Sequence, residues 1–355
     1  MRKARGTPPP QPPRTTRKTA RVGALVSMLP LAVSMLPAAG SAIRTARQPP
    51  PTQPVAVARP RTAAPKEFSI PISNLRQWAS TVVVRMPEVK IEGHSKVHRQ
   101  EADCELHFGA HSNAYKGIPP GLVLEPMNVC RAPFQGEEEQ RDADWINFAK
   151  RINNTVVTVT GVPRIWPEHL TGGNEPSNPN HAIEVHPLMT VETNGENFDF
   201  SANVSAGEYR GGVGEPTAES IVKQTAVTVA TNGELADIAF FSGRIGNFTT
   251  LELNVEKATI ASDGAGSFRM NGQVVLSDGT TVPVRMVTAK GSPINDQMED
   301  LKRRRSAMVG LGEVLVLFSL SPQALLDAVS QSNGTMVEVV MPLQLILFGA
   351  PEPDA

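Results

Sequence analysis

The sequence predicts a mainly β protein, with a small barrel domain followed by a second β-rich, sandwich-like domain. Its 355 residues suggest about two domains. From residue 67 onward, short β-branched and apolar runs alternate with clusters of Gly, Pro and Asn, the pattern of strands and turns. Asn232-Gly233 and Asp278-Gly279 add two hairpin turns in the second half of the chain.

The first domain is predicted at 67–193 and is OB-fold-like. One short helix is expected at 142–152, with Asp142 or Asp144 as its N-cap. Five strands and one helix in a segment of this size are the inventory of an OB-fold-like barrel. The five strands are "TVVVRM" (81–86), "CELHFG" (104–109), "GLVLEP" (121–126), "TVVTVTGV" (155–162) and "AIEVHPLMTVE" (182–192).

The second domain is predicted at 194–355 and contains more strands than helices. The stretch "LELNVE" (251–256) alternates apolar and polar residues without error, as a half-buried strand does. Helices are expected at 296–308 and from Ser321, which would be the N-cap before Pro322 at the first helical position. The chain then ends in a further apolar run, so a β-sandwich is the expected arrangement.

The first 66 residues carry targeting features rather than fold features. Residues 1–42 combine seven Lys or Arg, an apolar stretch and a Gly-Ser-Ala exit, which are the parts of a signal peptide. A membrane anchor is the alternative, although two prolines and a short apolar length oppose it. Residues 43–66 form a Pro-rich basic linker, which could also rest on an anionic envelope surface. We therefore expect an exported protein, periplasmic or extracellular, without a transmembrane span in its mature chain.

Net charge argues against a nucleic-acid partner. Of 34 Lys and Arg, removal of the seven in the leader leaves 27 against 35 Asp and Glu, a net charge of about −8. Phosphate contacts dominate nucleic-acid affinity, and an acidic protein gains no electrostatic help in making them. The two cysteines, Cys104 and Cys130, are expected to form a disulfide in an oxidising compartment.

All seven histidines lie between positions 94 and 186, so any imidazole chemistry belongs to the first domain. Within it, a Glu-aliphatic-His pattern occurs twice, in "DCELHFG" and in "AIEVHPL". Residues two apart on a strand share a face. The strand prediction therefore places Asp103, Glu105 and His107 on one polar face, and Glu184 and His186 on another.

Three interpretations of these faces stay open. The four Glu and His side chains could converge on a divalent metal ion, since zinc, manganese and iron accept such ligands. Each pair could instead be a carboxylate-oriented imidazole that binds a ligand or moves a proton. Each could also be a structural ion pair on a half-exposed strand, which is common in sheets.

The loop between the last two predicted strands supplies further candidates. It is rich in Gly, Pro and Asn and carries Glu168 and His169, which could complete a site with Glu184 and His186. Arg164 and Trp166 are candidates for contact with a phosphate or another ligand, although Trp166 could simply pack on the end of the barrel; Glu125 could face the same cleft or be solvated. The chain has no G-x-S-x-G, P-loop or Rossmann glycine pattern, so these common catalytic motifs are absent.

"DCELHFG", "LVLEPMNVC", "VTGVPRIWPEHL" and "HAIEVHPLMTV" together resemble a loosely defined group of exported bacterial proteins with an OB-fold-like domain. The resemblance covers about residues 80–192 and implies a compartment and a fold rather than a reaction. A more distant similarity is to small exported OB-fold nucleases, from which the clustered imidazoles depart. Carried over position by position, the group's motif falls on Asp103, Glu105, His107, Glu125, Cys130, His169, Glu184, His186 and Pro187.

The leading functional hypothesis is an exported binding protein whose His and carboxylate face holds an unknown ligand or a divalent metal. A metal-dependent hydrolase, such as a nuclease or phosphodiesterase, is the first alternative; Glu105 or Glu184 would be its general base. A structural envelope protein is the second alternative. The sequence alone does not decide whether the chain is an enzyme.

Overall fold

A computed structural model describes residues 64–99, 104–131, 133–205 and 212–350. The predicted signal peptide, all but the end of the linker, and Asp103 lie outside the described residues. Every element named below belongs to one compact unit, Val55–Ala355. Within the part of the chain that the structure describes, no helix has the length and apolar character needed to cross a membrane.

Strands dominate the described residues, as the sequence predicts. In the first half the elements are β1 (Lys66–Pro71), α1 (Ile72–Ser80), β2 (Val84–His94), β3 (Phe108–His111), β4 (Gly121–Leu124), α2 (Glu138–Ile152), β5 (Val156–Ile165), β6 (Asn174–Glu175), β7 (Asn178–Pro179), β8 (His181–Thr193) and β9 (Glu196–Asp199). In the second half they are α3 (Glu215–Gln224), β10 (Ala226–Asn232), β11 (Leu235–Phe241), β12 (Phe248–Glu256), β13 (Ala261–Ser262), β14 (Phe268–Val275), β15 (Thr281–Thr288), α4 (Pro293–Lys302), β16 (Met308–Leu320), α5 (Pro322–Ser332), β17 (Val337–Glu338) and β18 (Leu343–Gly349).

The first barrel has the predicted OB-like character. Its strands follow the order β4-β3-β2-β5-β8, and parallel pairing of β4 with β8 closes the cylinder. Helix α2 connects the third and fourth strands in chain order, so the barrel itself has the expected five strands and one helix; helix α1, within the predicted domain but before the barrel, was not predicted. The helix packs Trp145 and Phe148 into an aromatic cluster with Phe200.

The second β-rich domain is also a closed barrel, where a sandwich-like arrangement was expected. Its strands run in the order β12-β16-β18-β15-β14, and antiparallel pairing of β12 with β14 closes them. A strand of a sandwich and a strand of a barrel both bury one face, so the alternation of 251–256 fits either. Which strands pair is decided by contacts far apart in the sequence.

A third sheet joins segments from both ends of the described chain. Its order is β1-β11-β10-β17, with α5 packed on β10 and against α1. Strand β1 lies just at the predicted start of the first domain, yet its whole length pairs with β11, from Lys66 opposite Phe240 to Pro71 opposite Leu235. The two predicted domains are therefore linked by continuous hydrogen bonding.

Local predictions agree with the structure to different degrees. Helix α5 begins after Ser321, whose side chain accepts a hydrogen bond from Ala324 N, and Pro322 takes the first helical position. The β10–β11 hairpin turns at Gly233, which has φ +60°. Helix α2 begins at Glu138, one turn before the expected start, and its N-cap Glu137 makes no side-chain capping bond. Helix α4 ends at Lys302 rather than continuing to 308.

Candidate functional site

Glu125 is fixed between two strands of the first barrel. It directly follows β4, and its N–H donates to the Val185 carbonyl of β8 at 3.0 Å. The Leu188 N–H in turn donates to the Glu125 carbonyl at 2.9 Å. These two backbone bonds bracket His186, so the parallel pairing of β4 and β8 places the carboxylate of Glu125 beside the imidazole of His186.

The segment that carries Glu105 and His107 corrects one prediction. Strand β3 begins only at Phe108, and Cys104 has φ +46°, outside the extended region. Residues 104–107 are therefore not a regular strand, and the two-residue period does not decide which way their side chains point. Cys104 and Cys130 form the predicted disulfide, with their Cα atoms 5.9 Å apart.

Backbone bonds to residues 95–98 hold the segment instead. The His98 N–H donates to the Glu105 carbonyl at 2.9 Å, and the Ser95 N–H donates to the His107 carbonyl at 2.9 Å. The Ser95 hydroxyl accepts from the His107 N–H at 3.0 Å. As a result the rings of His98 and His107 meet edge to face, with centroids 4.7 Å apart.

Four of the predicted site residues form one continuous buried line. Glu105 Oε1 lies 2.6 Å from His107 Nε2. The same nitrogen lies 3.4 Å from Glu125 Oε1, and Glu125 Oε2 lies 2.5 Å from His186 Nδ1. All four residues are buried. The two Glu-aliphatic-His patterns therefore do meet, with Glu125 as the link between their histidines.

Glu184 is at the far end of this line and has a different partner. It pairs across the strands with Arg164 of β5, and the two side chains form a fully buried ion pair. Glu184 Oε2 is 3.9 Å from His186 Nδ1, and its Oε1 is 3.3 Å from His181 Nε2. A guanidinium thus neutralises the carboxylate that the sequence suggested as a ligand or general base.

Arg164 and Trp166 were candidates for ligand contact, and the structure instead places both in the interior, as the packing alternative for Trp166 expected. Arg164 donates to the Phe318 carbonyl at 2.8 Å and to Asn247 Oδ1 at 2.7 Å, besides its bond to Glu184. Trp166 stacks on Phe318 with centroids 6.0 Å apart. These contacts with Phe318 join the first barrel to the second. Both residues are 0% exposed, so neither is available to contact a phosphate.

The charges around Glu184 and Glu125 favour the ionised form of both carboxylates. Burial would raise the pKa of Glu184, but Arg164 and the neighbouring histidines hold it well below its usual value. Burial and Glu184 would also raise the pKa of Glu125, and His107 and His186 reverse that effect to give a lowered pKa. Burial lowers the pKa of His181, yet its bond to Glu184 leaves it raised overall.

Glu168 and His169 lie apart from the line but face the same cavity. Burial raises the pKa of Glu168, and its Oε2 has no hydrogen-bond partner among the described residues. Burial, followed by the nearby His181, lowers the pKa of His169. The rings of His169 and His181 stack at 5.3 Å, so the loop end adjoins the inner cluster.

The cavity has a volume of about 1250 Å³ and opens beside the first barrel. Part of its wall comes from Asn247 and from Phe248, the first residue of β12 in the second barrel. Glu184 and His186 are not in the lining and lie behind Glu125. The ionisable side chains of the first barrel that line it include His98, Glu105, His107, Glu125, Glu168 and His169.

The loop at 174–179, which contains the short strands β6 and β7, forms another wall of the cavity. It can approach the barrel closely because the barrel residues beneath it are glycines. Gly93 of β2 and Gly109 of β3 are cross-strand partners, and both lie under Pro176. A Cβ atom on Gly93 would be only 2.7 Å from the backbone and ring of Pro176, and one on Gly109 would collide with the Pro176 carbonyl. The loop is therefore seated directly on the barrel, which gives the cavity a preformed side.

Two groups of three residues in the described part of the chain could hold a metal ion. One is His98, Glu105 and His107; the other is Glu105, Glu125 and His186. Within each group the ligand atoms lie within 4.8 Å of one another. Mixed imidazole and carboxylate ligands suit zinc and other divalent transition metals. The site is thus a mostly buried His and Glu group whose geometry could accommodate a metal ion.

Sequence reasoning missed three contributors to this site. His98 was seen only as one of seven histidines, and its backbone bridge to Glu105 has no sequence signal. His181 begins the strand that holds Glu184, but it lies three residues away and off the expected strand face. Asn247 belongs to the predicted second domain, which contains no histidine or cysteine and so yielded no candidate residue from the sequence.

Searches against protein-family models and against curated proteins find no match for this chain.

Proposed function

We propose that this is an exported binding protein whose first barrel holds a divalent transition metal ion at the base of the cavity. Glu105, Glu125 and His186 would be its ligands. The observation that carries the proposal is the position of Glu125, which the β4–β8 pairing places between the two Glu-aliphatic-His segments. A chain that separates these residues by up to 81 positions brings their ligand atoms within 4.8 Å.

The chemistry of the donors supports a metal. Carboxylate oxygens and imidazole nitrogens bind zinc at about 2.0 to 2.2 Å, so atoms within 4.8 Å of one another need only small side-chain rotations to close around one ion. Coordination requires deprotonated ligands. The metal would therefore replace the protons shared in the Glu105–His107 and Glu125–His186 contacts.

The surroundings of the group also suit a resident ion. A metal-ligating histidine usually has a second contact that orients its ring. Glu184, neutralised by Arg164, lies 3.9 Å from His186 Nδ1 and gives the ring a charged neighbour behind the group. Buried carboxylates need compensation for lost hydration, and a divalent cation provides it more completely than neutral imidazoles do.

The test is zinc binding by the purified mature protein, measured by calorimetry and by elemental analysis after dialysis. We expect wild type to bind zinc with micromolar or tighter affinity, and Glu125→Gln and His186→Ala to weaken binding at least tenfold. His111→Ala is the matched control, because His111 forms an exposed pair with Glu92 at 2.8 Å, away from the group. If the wild-type protein binds none of zinc, manganese, iron and cobalt, the proposal is wrong. The group would then be a structural ion-pair network.

Export is the other part of this proposal. The leader-like residues 1–42 support it, and the Cys104–Cys130 disulfide is compatible with an oxidising compartment. Fractionation of cells that express the full chain, with N-terminal sequencing of the product, tests it. A product that starts near residue 43 outside the cytoplasm is expected. An unprocessed product that remains with the cytoplasmic fraction would contradict it.

A further inference from the structure

We propose that the site is a two-metal centre in which Glu105 bridges the ions, and that it takes a small oxyanion as a further ligand. This inference rests on the metal binding proposed above and specifies its stoichiometry. One ion would lie with His98 and His107, and the other with Glu125 and His186.

The first support is the overlap of the two metal-capable groups. They have different histidines and share a single residue, Glu105. A carboxylate has two oxygens, so one side chain can serve two ions, whereas each of these imidazoles would serve one. Paired ions in hydrolases lie about 3.5 to 4 Å apart, which is a separation that a bridging carboxylate spans.

The second support is that the donors form a line and do not surround one point. Glu125 directs one oxygen toward His107 and the other toward His186, at 3.4 and 2.5 Å. His98 adds a further imidazole at the opposite end, next to His107. Five donors spread in this way exceed what one tetrahedral ion needs and fit two adjacent ions with open positions.

The third support is the balance of charge. Glu184 is paired with Arg164, so Glu105 and Glu125 are the carboxylates within the two metal-capable groups; Glu168 lines the same cavity outside them. Within those groups, two divalent ions carry about two more positive charges than the two carboxylates offset. The open cavity lies on the His98 and Glu105 side of the group. An oxyanion such as phosphate could enter there and complete the coordination of both ions, as in two-metal hydrolases.

The number of bound metal ions distinguishes a two-metal centre from a site that holds a single ion. Elemental analysis of zinc-loaded wild type should give two ions per chain, and His98→Ala and His186→Ala should each give one. With cobalt in place of zinc, two ions bridged by Glu105 should show magnetic coupling that is lost in Glu105→Gln. His111→Ala should retain both ions. Near-ultraviolet circular dichroism identifies any variant that fails to fold, and cobalt coupling in wild type then still decides the question.

One ion per wild-type chain would overturn the two-metal inference and leave the proposed metal binding intact. No ion at all would overturn both. Inorganic phosphate is the probe for the oxyanion: calorimetry should show at least tenfold tighter binding to the zinc-loaded protein than to the zinc-free protein. Equal binding in both forms, or none in either, would overturn the oxyanion part.

Discussion

Arg164 and Glu184 form a fully buried ion pair across strands β5 and β8, directly behind the candidate metal ligands. The guanidinium also donates to the Phe318 carbonyl of the second barrel. The pair therefore has two roles: it neutralises the innermost carboxylate of the site, and it ties the site to the neighbouring barrel.

Glu184→Gln should destabilise the protein by about 3 to 5 kcal/mol, because it leaves the buried guanidinium without its countercharge. Urea unfolding of the metal-free protein measures this free energy. Glu192→Gln is the matched control on the same strand, since Glu192 pairs with Arg85 at 2.7 Å on the surface. Loss of that exposed, solvent-screened pair should have a much smaller effect. Equal effects of the two substitutions would contradict the buried role.

Removal of metal should lower the stability of wild type more than that of a variant that lacks one ligand. A ligand present at 100 times its dissociation constant stabilises the folded state by about 2.7 kcal/mol. We expect thermal unfolding to shift upward when zinc is added and downward with a chelator. Glu125→Gln should show a clearly smaller shift than wild type, while His111→Ala should respond as wild type does. A shift of the same size in Glu125→Gln would place the metal elsewhere.

Gly109→Ala should disturb the cavity wall and destabilise the protein by about 1 to 3 kcal/mol, the usual cost of overpacking. Its new methyl group would collide with the backbone of Pro176, which flexible side chains cannot relieve. Gly310→Ala is the control, because a methyl group there meets only Asn254 Oδ1 at 3.4 Å on an exposed strand. Urea unfolding of both variants provides the comparison, and a neutral Gly109→Ala would show that the loop can move.

Replacement of both Cys104 and Cys130 by Ser should cost about 3 to 4 kcal/mol, from the 26-residue separation of the bonded cysteines. It should also weaken zinc binding, because the disulfide anchors the residue next to Glu105, where no regular strand does so. Unfolding and calorimetry of the double variant test both effects. Zinc affinity equal to that of wild type would show that the bonds to Ser95 and His98 hold the segment unaided.

Much of the fold follows from local sequence patterns. Alternation and turn residues give the mainly β class, the β10–β11 hairpin and the cap of α5 at Ser321. These features depend on residues close together in the chain, so local rules capture them. The pairing of β12 with β14 and β16, which makes the second domain a barrel, depends on partners that no local pattern names.

The sequence by itself determined which residue types could do chemistry: seven histidines in one domain, and two cysteines placed to form a disulfide. Only the tertiary structure decided which of them meet. The strand period failed at Cys104, whose positive φ breaks the extended backbone. Glu125 became central because parallel pairing of β4 and β8 places it beside His186. Arg164 does not contact a ligand, because packing between the barrels buries it. Burial depends on the whole fold and cannot be read from local sequence.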